Sequence, residues 1–423
     1  MLQVPYIREN KDLIIQRLKL RNLDVAEIID NIIETDKNRR ETQRKLDETL
    51  ASSNAKAKEI GMLFKQGKGA EANALKEETS KLKEESKQLQ EAFNNYSNDL
   101  TQLLYQVPNV PNETVPEGNS DEDNVEIFTA GTVPTLHDGA QPHWELAKKY
   151  GLIDFELGVK ITGAGFPVYT GKGARMQRAL VNFFLDNSTS MGYREVQPPL
   201  MINEASGYGT GQLPDKEGQM YHAGADDLYL IPTAEVPVTN IYRDVILDAD
   251  QLPIKNTAYS QCFRREAGSY GSDVRGLNRL HQFDKVEIVQ LVHPSKSYET
   301  LDEMVAYVKT LLEKLELPYR IVRLCGGDLG FTAALTYDFE VYSAAQDKWL
   351  EVSSVSNFET FQANRLKCRY RDENGKPQLV HTLNGSALAF PRILAALLEN
   401  NQTPDGIKIP KALAEYTGFD IIS

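Results

Sequence analysis

The sequence predicts an α+β protein. An N-terminal antiparallel helical hairpin, paired as a coiled coil, precedes a body built on an antiparallel sheet flanked by helices. Three observations carry this reading. From about residue 25 to 105 the chain is rich in Lys, Glu, Gln, Ala and Leu and contains no proline. Two apolar stripes within that span fit each other as facing helices. Beyond it, short β-rich runs alternate with helical ones in an order that is no regular βαβ repeat, with neither a G-x-G-x-x-G turn nor a Walker loop.

The second half of the hairpin carries Leu75, Leu82, Leu89, Tyr96 and Leu103 at heptad spacing, with Ala72, Thr79, Ser86, Phe93 and Leu100 at the alternate seam positions. The first half carries Val25, Ile29, Ile32, Leu46, Leu50, Ala57, Ile60 and Phe64, with polar Asp36, Arg39 and Gln43 in its middle. Facing residues of an antiparallel hairpin have a constant index sum. Pairing Phe64 with Ala72, Ile60 with Leu75, Leu50 with Ser86, Leu46 with Leu89 and Ile32 with Leu103 gives sums of 135 or 136, so one turn at Gly67-Lys68-Gly69 satisfies every pair. Each arm of about 35 residues, at about 1.5 Å per residue, projects on the order of 50 Å. Lys and Arg about balance Asp and Glu between residues 31 and 100, against a formal net charge of −13 for the whole chain. Lys37, Arg39, Arg40, Arg44, Lys45, Lys56, Lys58, Lys65, Lys68, Lys76, Lys81, Lys83 and Lys87 are phosphate-contact candidates. Composition leaves two readings open, a spacer or dimerisation rod and an arm that reaches a distant ligand.

Val107-Pro108-Asn109-Val110-Pro111 stops the second helix. The boundaries are a hairpin at 1–106, an acidic linker at 107–130 and a body at 131–423. In the body Val168-Tyr169-Thr170, Leu228 to Ile231, Ala258 to Phe263 and Lys285 to Val289 read as strands, and Ala174 to Asn187 and Leu301 to Leu315 as helices. The N-terminus lacks a signal-peptide apolar run and no stretch approaches the roughly 20 residues of a membrane span, so the expectation is a soluble, cytoplasmic protein without membrane contact. Three scattered cysteines (Cys262, Cys325, Cys368) and six scattered histidines suggest neither a disulfide frame nor a zinc site. Overall acidity speaks against nucleic-acid binding through net charge and confines any RNA contact to particular elements.

The chemistry concentrates in Cys262-Phe263-Arg264-Arg265-Glu266, followed by Ala267-Gly268-Ser269-Tyr270-Gly271 and Arg275-Gly276-Leu277. Then come His281-Gln282-Phe283-Asp284-Lys285-Val286-Glu287 and, much later, Thr382-Leu383-Asn384-Gly385-Ser386 leading to Arg392. A fixed cation on a strand, a charged loop, an aromatic on the returning strand and a distant second arginine suit a triphosphate and a stacked purine. In these residues the chain resembles a class II aminoacyl-tRNA synthetase, and in its detail the bacterial-type seryl-tRNA synthetase.

The resemblance covers the whole chain and implies the class II antiparallel sheet. It also implies a homodimer, with the helix from Ala174 and Gly192 to Pro199 at the interface. It makes 131–423 the catalytic domain and the hairpin the part that grips tRNA(Ser). The implied activity is ATP-dependent, Mg²⁺-dependent attachment of L-serine to tRNA(Ser) through a seryl-adenylate, extended by the family to tRNA(Sec). Arg264 and Arg392 are the implied catalytic cations. ATP falls to Arg264, Arg265, Glu266, Phe283, Glu351, Val352, Ser353, Ser354 and Arg392, and Mg²⁺ to Glu351 and Ser354. Serine falls to Thr233, Ala234, Glu235, Glu287, Asn384 and Ser386. The chain departs from the family at Gly163-Ala164-Gly165-Phe166, where Gly-Ser-Arg-Phe is usual, and at Ala387, where glycine is usual. Two rivals remain: a class II ligase that adenylates a small amino acid for a carrier other than tRNA, and a catalytically inactive RNA-binding paralogue.

Overall fold

The structure, a computed structural model, describes residues 1–266 and 275–423. Ala267-Gly268-Ser269-Tyr270-Gly271 of the charged loop after Glu266 lie outside them. The chain divides into two compact units, residues 1–19 with 23–108, and residues 20–22 with 109–423.

In the first unit two short helices, Val4–Glu9 and Lys11–Leu18, precede α1 (Ala26–Lys65) and α2 (Gly69–Leu104). The expected hairpin is present. Its turn falls at Gly67, whose φ of +75° is left-handed and suits glycine. Ile29, Ile32, Leu46, Ala72 and Leu100 are buried in the seam. Toward the tip the α1 stripe differs from the expected one. Leu50 and Phe64 are 41% and 52% exposed, while Ser53 is buried and Lys56 reaches across to pair with Glu78. Two helices alone bury only one narrow stripe each. After Leu46 the less exposed positions step by three, four and three to Thr49, Ser53 and Lys56, so the seam runs one residue before Leu50 and, further on, before Phe64. Midway, Asp36 is buried and takes ion pairs of 2.9 Å from each of Arg8, Arg39 and Arg40.

The second unit is built on an eight-stranded sheet. Its strands in chain order are β1 (Val125–Ala130), β2 (Arg194–Glu195), β3 (Ile254–Phe263), β4 (Gln282–Val292), β5 (Tyr319–Arg323), β6 (Leu335–Ser343), β7 (Lys348–Glu359) and β8 (His381–Ala389). They lie in the order β1-β5-β6-β7-β8-β4-β3-β2, antiparallel except for the β2–β3 pair. Residues 125–130, read above as the end of a linker, are thus an edge strand of this sheet. Residues alternate between faces along a strand, and this sheet sorts them sharply. One face, with Val286, Ile288, Val355, Leu383 and Phe339, is the apolar core. α3 (Gly171–Ser190) and α4 (Ser297–Lys314) contribute Phe183, Phe184, Met304, Val308 and Leu311 to it. The other face carries the site at polar Lys285, Glu287, Asn384 and Ser386, beside a second apolar cluster that takes in Ala258, Val289 and Leu291. α5 (Phe390–Asn400) leaves the end of β8, and Pro391 sits in its first turn, where a missing N–H costs nothing. Among the described residues no helix is long and apolar enough to cross a membrane.

Candidate active site

Register brings the dispersed residues together. Glu287 of β4 lies opposite Ser386 of β8 and Ala258 of β3, Val289 opposite Asn384, and Phe283 opposite Cys262. Period-2 alternation then puts Phe283, Lys285 and Glu287 on one face with Asn384 and Ser386. Arg264 follows the end of β3, and its guanidinium sits 5.2 Å from the centre of the Phe283 ring. Its Nε donates to the Pro232 carbonyl at 3.4 Å. The Phe263 N–H donates to the Ile231 carbonyl at 2.8 Å. These two bonds hold the segment leading into Thr233-Ala234-Glu235 beside β3.

Below Arg264 is a small buried polar group. Lys285 pairs with Glu287 and donates to Thr233 Oγ1 at 3.0 Å, while the Thr233 hydroxyl donates to Glu287 Oε2 at 3.1 Å. Glu287 is 1% exposed, and its other oxygen, Oε1, has no partner among the described residues. Such an orphaned acceptor is costly unless something fills it. Glu235 is buried too. Its Oε1 accepts from Gln362 at 2.6 Å, and Gln362 in turn accepts from Thr382 at 2.7 Å. Burial, and then the Glu287 charge, push the Glu235 carboxyl up to about 7. Burial also raises Glu287, with Lys285 opposing it. Ala234 is fully buried at the turn between these two side chains.

Toward the other edge, Glu351, Val352, Ser353 and Ser354 lie on β7. Strict alternation would put Glu351 and Ser354 on opposite faces, but a bulge opposite Phe339 and Glu340 inserts one residue and resets the phase. As a result Ser354 donates to Asp338 at 2.5 Å, and Glu351 lies close enough to add to burial in pushing Asp338 well above the usual carboxylate range. Ser353 donates instead to the Ser386 carbonyl at 2.6 Å. Val352 points into the core. Arg392, in the first turn of α5, donates to the carbonyls of Asn278 at 2.9 Å and Glu351 at 2.8 Å. Arg265 hydrogen-bonds through its main-chain N–H to Gln219 at 2.9 Å. Glu266 pairs with Arg279 at 2.8 Å.

The site thus joins an arginine over an aromatic ring, a buried acidic cluster, an oxygen-rich strand and a second arginine. Two family models match: the class II core domain of tRNA synthetases for G, H, P, S and T over residues 219–401, and the seryl-tRNA synthetase N-terminal domain over residues 1–111. A serine–tRNA ligase of Salinibacter ruber is 51% identical over 421 residues, covering 99% of this chain and 98% of that one. The chain belongs to the seryl-tRNA synthetase family.

Solved structures agree. The seryl-tRNA synthetase of Pyrococcus horikoshii, crystallised with ATP, superposes with a TM-score of 0.88 at 34% identity, covering 100% of this chain and 99% of that one. The cytoplasmic serine–tRNA ligase of Naegleria fowleri, in complex with AMP, gives 0.87 at 27% identity over 100% and 99%. Against the seryl-tRNA synthetase pattern, the glycine at 165 has a local reason. Its φ is +82°, and a Cβ there would lie 2.4 Å from the His281 ring. His281 is stacked on Phe166 and accepts or donates at Tyr221 at 2.8 Å. An arginine at 165 has no room beside that ring. Ala387 is fully buried on the apolar face of β8.

Sequence reasoning missed Lys285, Gln362 and Asp338. Lys285 was findable, since it stands two residues before Glu287 on one strand and so on the same face. Gln362 and Asp338 reach the site through pairings that no local pattern marks.

Proposed function

We propose that this chain attaches L-serine to tRNA(Ser) in two steps. An oxygen of the serine carboxylate attacks the α-phosphorus of ATP, the bond to the bridging oxygen breaks, and pyrophosphate leaves. The 3′-hydroxyl of the tRNA's terminal adenosine then attacks the seryl carbonyl and AMP leaves. The observation that carries this reading is the buried cluster of Thr233, Glu235, Lys285 and Glu287 beside the Pro232 carbonyl that Arg264 contacts. Glu235 and the Glu287 Oε1, which has no partner among the described residues, offer acceptors to an ammonium and a hydroxyl beside Thr233, with Ser386 and Asn384 on the adjacent strand. A buried acceptor that serine satisfies and alanine leaves empty discriminates between them by roughly 10⁴ or more.

Arg264 follows charge onto the α-phosphate in the transition state, and Arg392 holds the far phosphate. Phe283 offers a face to adenine, and Arg265 and Glu266 flank the nucleotide. The serine nucleophile is already an anion, so positioning and charge stabilisation replace a general base. Mg²⁺, which prefers oxygen ligands and substrate phosphates, fits the donor set of Glu351 and Ser354 with Asp338 behind them, and would neutralise phosphate charge there. Among the described residues no cluster of three His, Cys, Asp or Glu side chains is arranged to hold a metal alone, so an ion here would share its ligands with ATP. The near-neutral hairpin binds the tRNA and the active unit is a homodimer. Charging of tRNA(Sec) is a natural extension of the same chemistry.

Serine-dependent ATP–pyrophosphate exchange, run alongside tRNA charging, tests the reading. Exchange with charging is expected. Exchange without charging of any tRNA would favour the ligase that serves another carrier, and no exchange would favour an inactive RNA-binding paralogue.

A further inference from the structure

The helix His143–Lys149 plays no part in the reaction above, yet its first turn holds the chain that returns from the phosphate loop. His143 is fully buried. Its Nε2 accepts the Leu277 N–H at 2.8 Å, so its Nδ1 carries the proton and donates to Glu399 at 2.7 Å. The same Glu399 oxygen accepts the His143 main-chain N–H at 2.9 Å and Gln346 at 3.0 Å, and its other oxygen accepts from Ser343. Gln346 accepts from Asn278 at 2.9 Å, and the Asn278 carbonyl is the one that receives Arg392 Nε. The backbone presses so closely on the imidazole that a Cβ at Gly276 would lie 2.2 Å from Nε2. Next along the helix, Trp144 receives the Arg275 guanidinium at 4.6 Å, and Glu145 pairs with it at 3.2 Å.

We propose that His143, oriented by Glu399 and linked through Gln346, is a positioning residue for Arg392: it fixes residues 275–278, and Asn278 then aims the guanidinium at the nucleotide. This rests on the reading of Arg392 as a phosphate ligand. A displacement of about 1 Å at such a group costs up to about a hundredfold. His143→Phe keeps the ring volume and removes the acceptor, His143→Gln keeps an acceptor where Nε2 lies, and Gln346→Leu cuts the link to Asn278 and the long 3.4 Å approach to His143 Nδ1 while keeping the imidazole and its bonds to Leu277 and Glu399.

In pyrophosphate exchange, His143→Phe and Gln346→Leu should raise the KM for ATP about tenfold or more while the KM for serine stays within about twofold, and His143→Gln should recover most of the loss. Calorimetric titration with ATP alone reads the same shift without turnover, and thermal unfolding establishes that each variant is folded. If His143→Phe does not fold, Gln346→Leu alone decides. Unchanged ATP binding in a folded variant, or equal shifts for ATP and serine, overturns the proposal and leaves a purely structural cluster. Wild-type protein that binds ATP but shows no serine-dependent exchange overturns the proposed function instead, and the ATP titrations still judge the clasp.

Discussion

Glu235 is the residue whose protonation should be felt at neutral pH. Burial and the neighbouring Glu287 raise its carboxyl to about 7, while Gln362, Lys285 and Arg264 oppose the shift. If its ionised form receives the serine ammonium, binding favours deprotonation. Serine affinity should then rise as pH increases through about 7 and level off above it, with a proton released on binding. Calorimetry in two buffers of different ionisation enthalpy measures that proton, and Glu235→Gln should bind serine more weakly with a flat profile. A wild-type profile already flat across this range would remove Glu235 from the ammonium site. Arg264 carries a separate expectation: Arg264→Ala should slow pyrophosphate exchange by about 10²–10³, the usual loss for a preorganised donor, and near-normal exchange would exclude it from the mechanism. At this scale Arg264, Phe283 and Glu287, which the structure gathers into the candidate site, were legible because each stands in a short run of charged and aromatic residues. The sequence could not name Asp338, whose approach to Ser354 depends on a bulge, or His143, more than a hundred residues from the loop it holds.

The hairpin was the most legible element, since beyond its base, where the short helix carrying Arg8 meets Asp36, its two helices pack on each other and must declare their contact face in their own sequence. Its error was one of phase. Leu50 and Phe64 stand whole heptads after Ile29, but beyond Leu46 the seam slips by one residue, to Thr49, Lys56 and Leu63, and leaves them exposed. The two leucines therefore separate type from position. Leu46, 3% exposed, should cost about 2–5 kcal/mol on change to alanine, whereas Leu50→Ala should stay within about 0.5 kcal/mol. Denaturant unfolding of the hairpin followed by circular dichroism measures both, and equal losses would restore the expected stripe. The strands were less legible for the opposite reason. β6 alternates Leu335, Tyr337, Phe339 and Val341 against Thr336, Asp338 and Glu340, but nothing local says that its polar side lines a site instead of facing water, or which strands flank it. The edge strand β1 was hidden by the acidic run before it, and five of its six residues are exposed.

For the whole molecule the informative feature is a crossing of chain order and domain order. Residues 20–22 precede the hairpin yet belong to the compact unit formed by residues 109–423. Arg21 is buried there and donates to four main-chain carbonyls: Asn109 at 2.9 Å, Leu329 at 2.6 Å, Gly330 at 3.1 Å and Ala333 at 2.5 Å. Asn109 adds its side-chain bonds to Thr332 and Phe358 at 3.0 and 2.9 Å. A loop whose inward carbonyls have no strand partners is thus satisfied by one guanidinium from upstream of the hairpin. Where the chain is cut should then matter more than how much is removed. Excising residues 31–103 and bridging the ends keeps Arg21, and should leave a folded body with serine-dependent pyrophosphate exchange and no efficient tRNA charging. Arg21→Met in that shortened chain leaves the carbonyls of Asn109, Leu329 and Ala333 without their donor, while Gly330 keeps the Ala333 N–H at 3.1 Å. Because a buried unpaired acceptor costs about 1–3 kcal/mol, the body should lose about 3 kcal/mol or more. Denaturant unfolding followed by tryptophan fluorescence reads this directly, since Trp144 and Trp349 both lie in the body. An Arg21→Met body as stable as its parent would mean that water replaces the guanidinium at those carbonyls, and that the segment before the hairpin is only a passing connection.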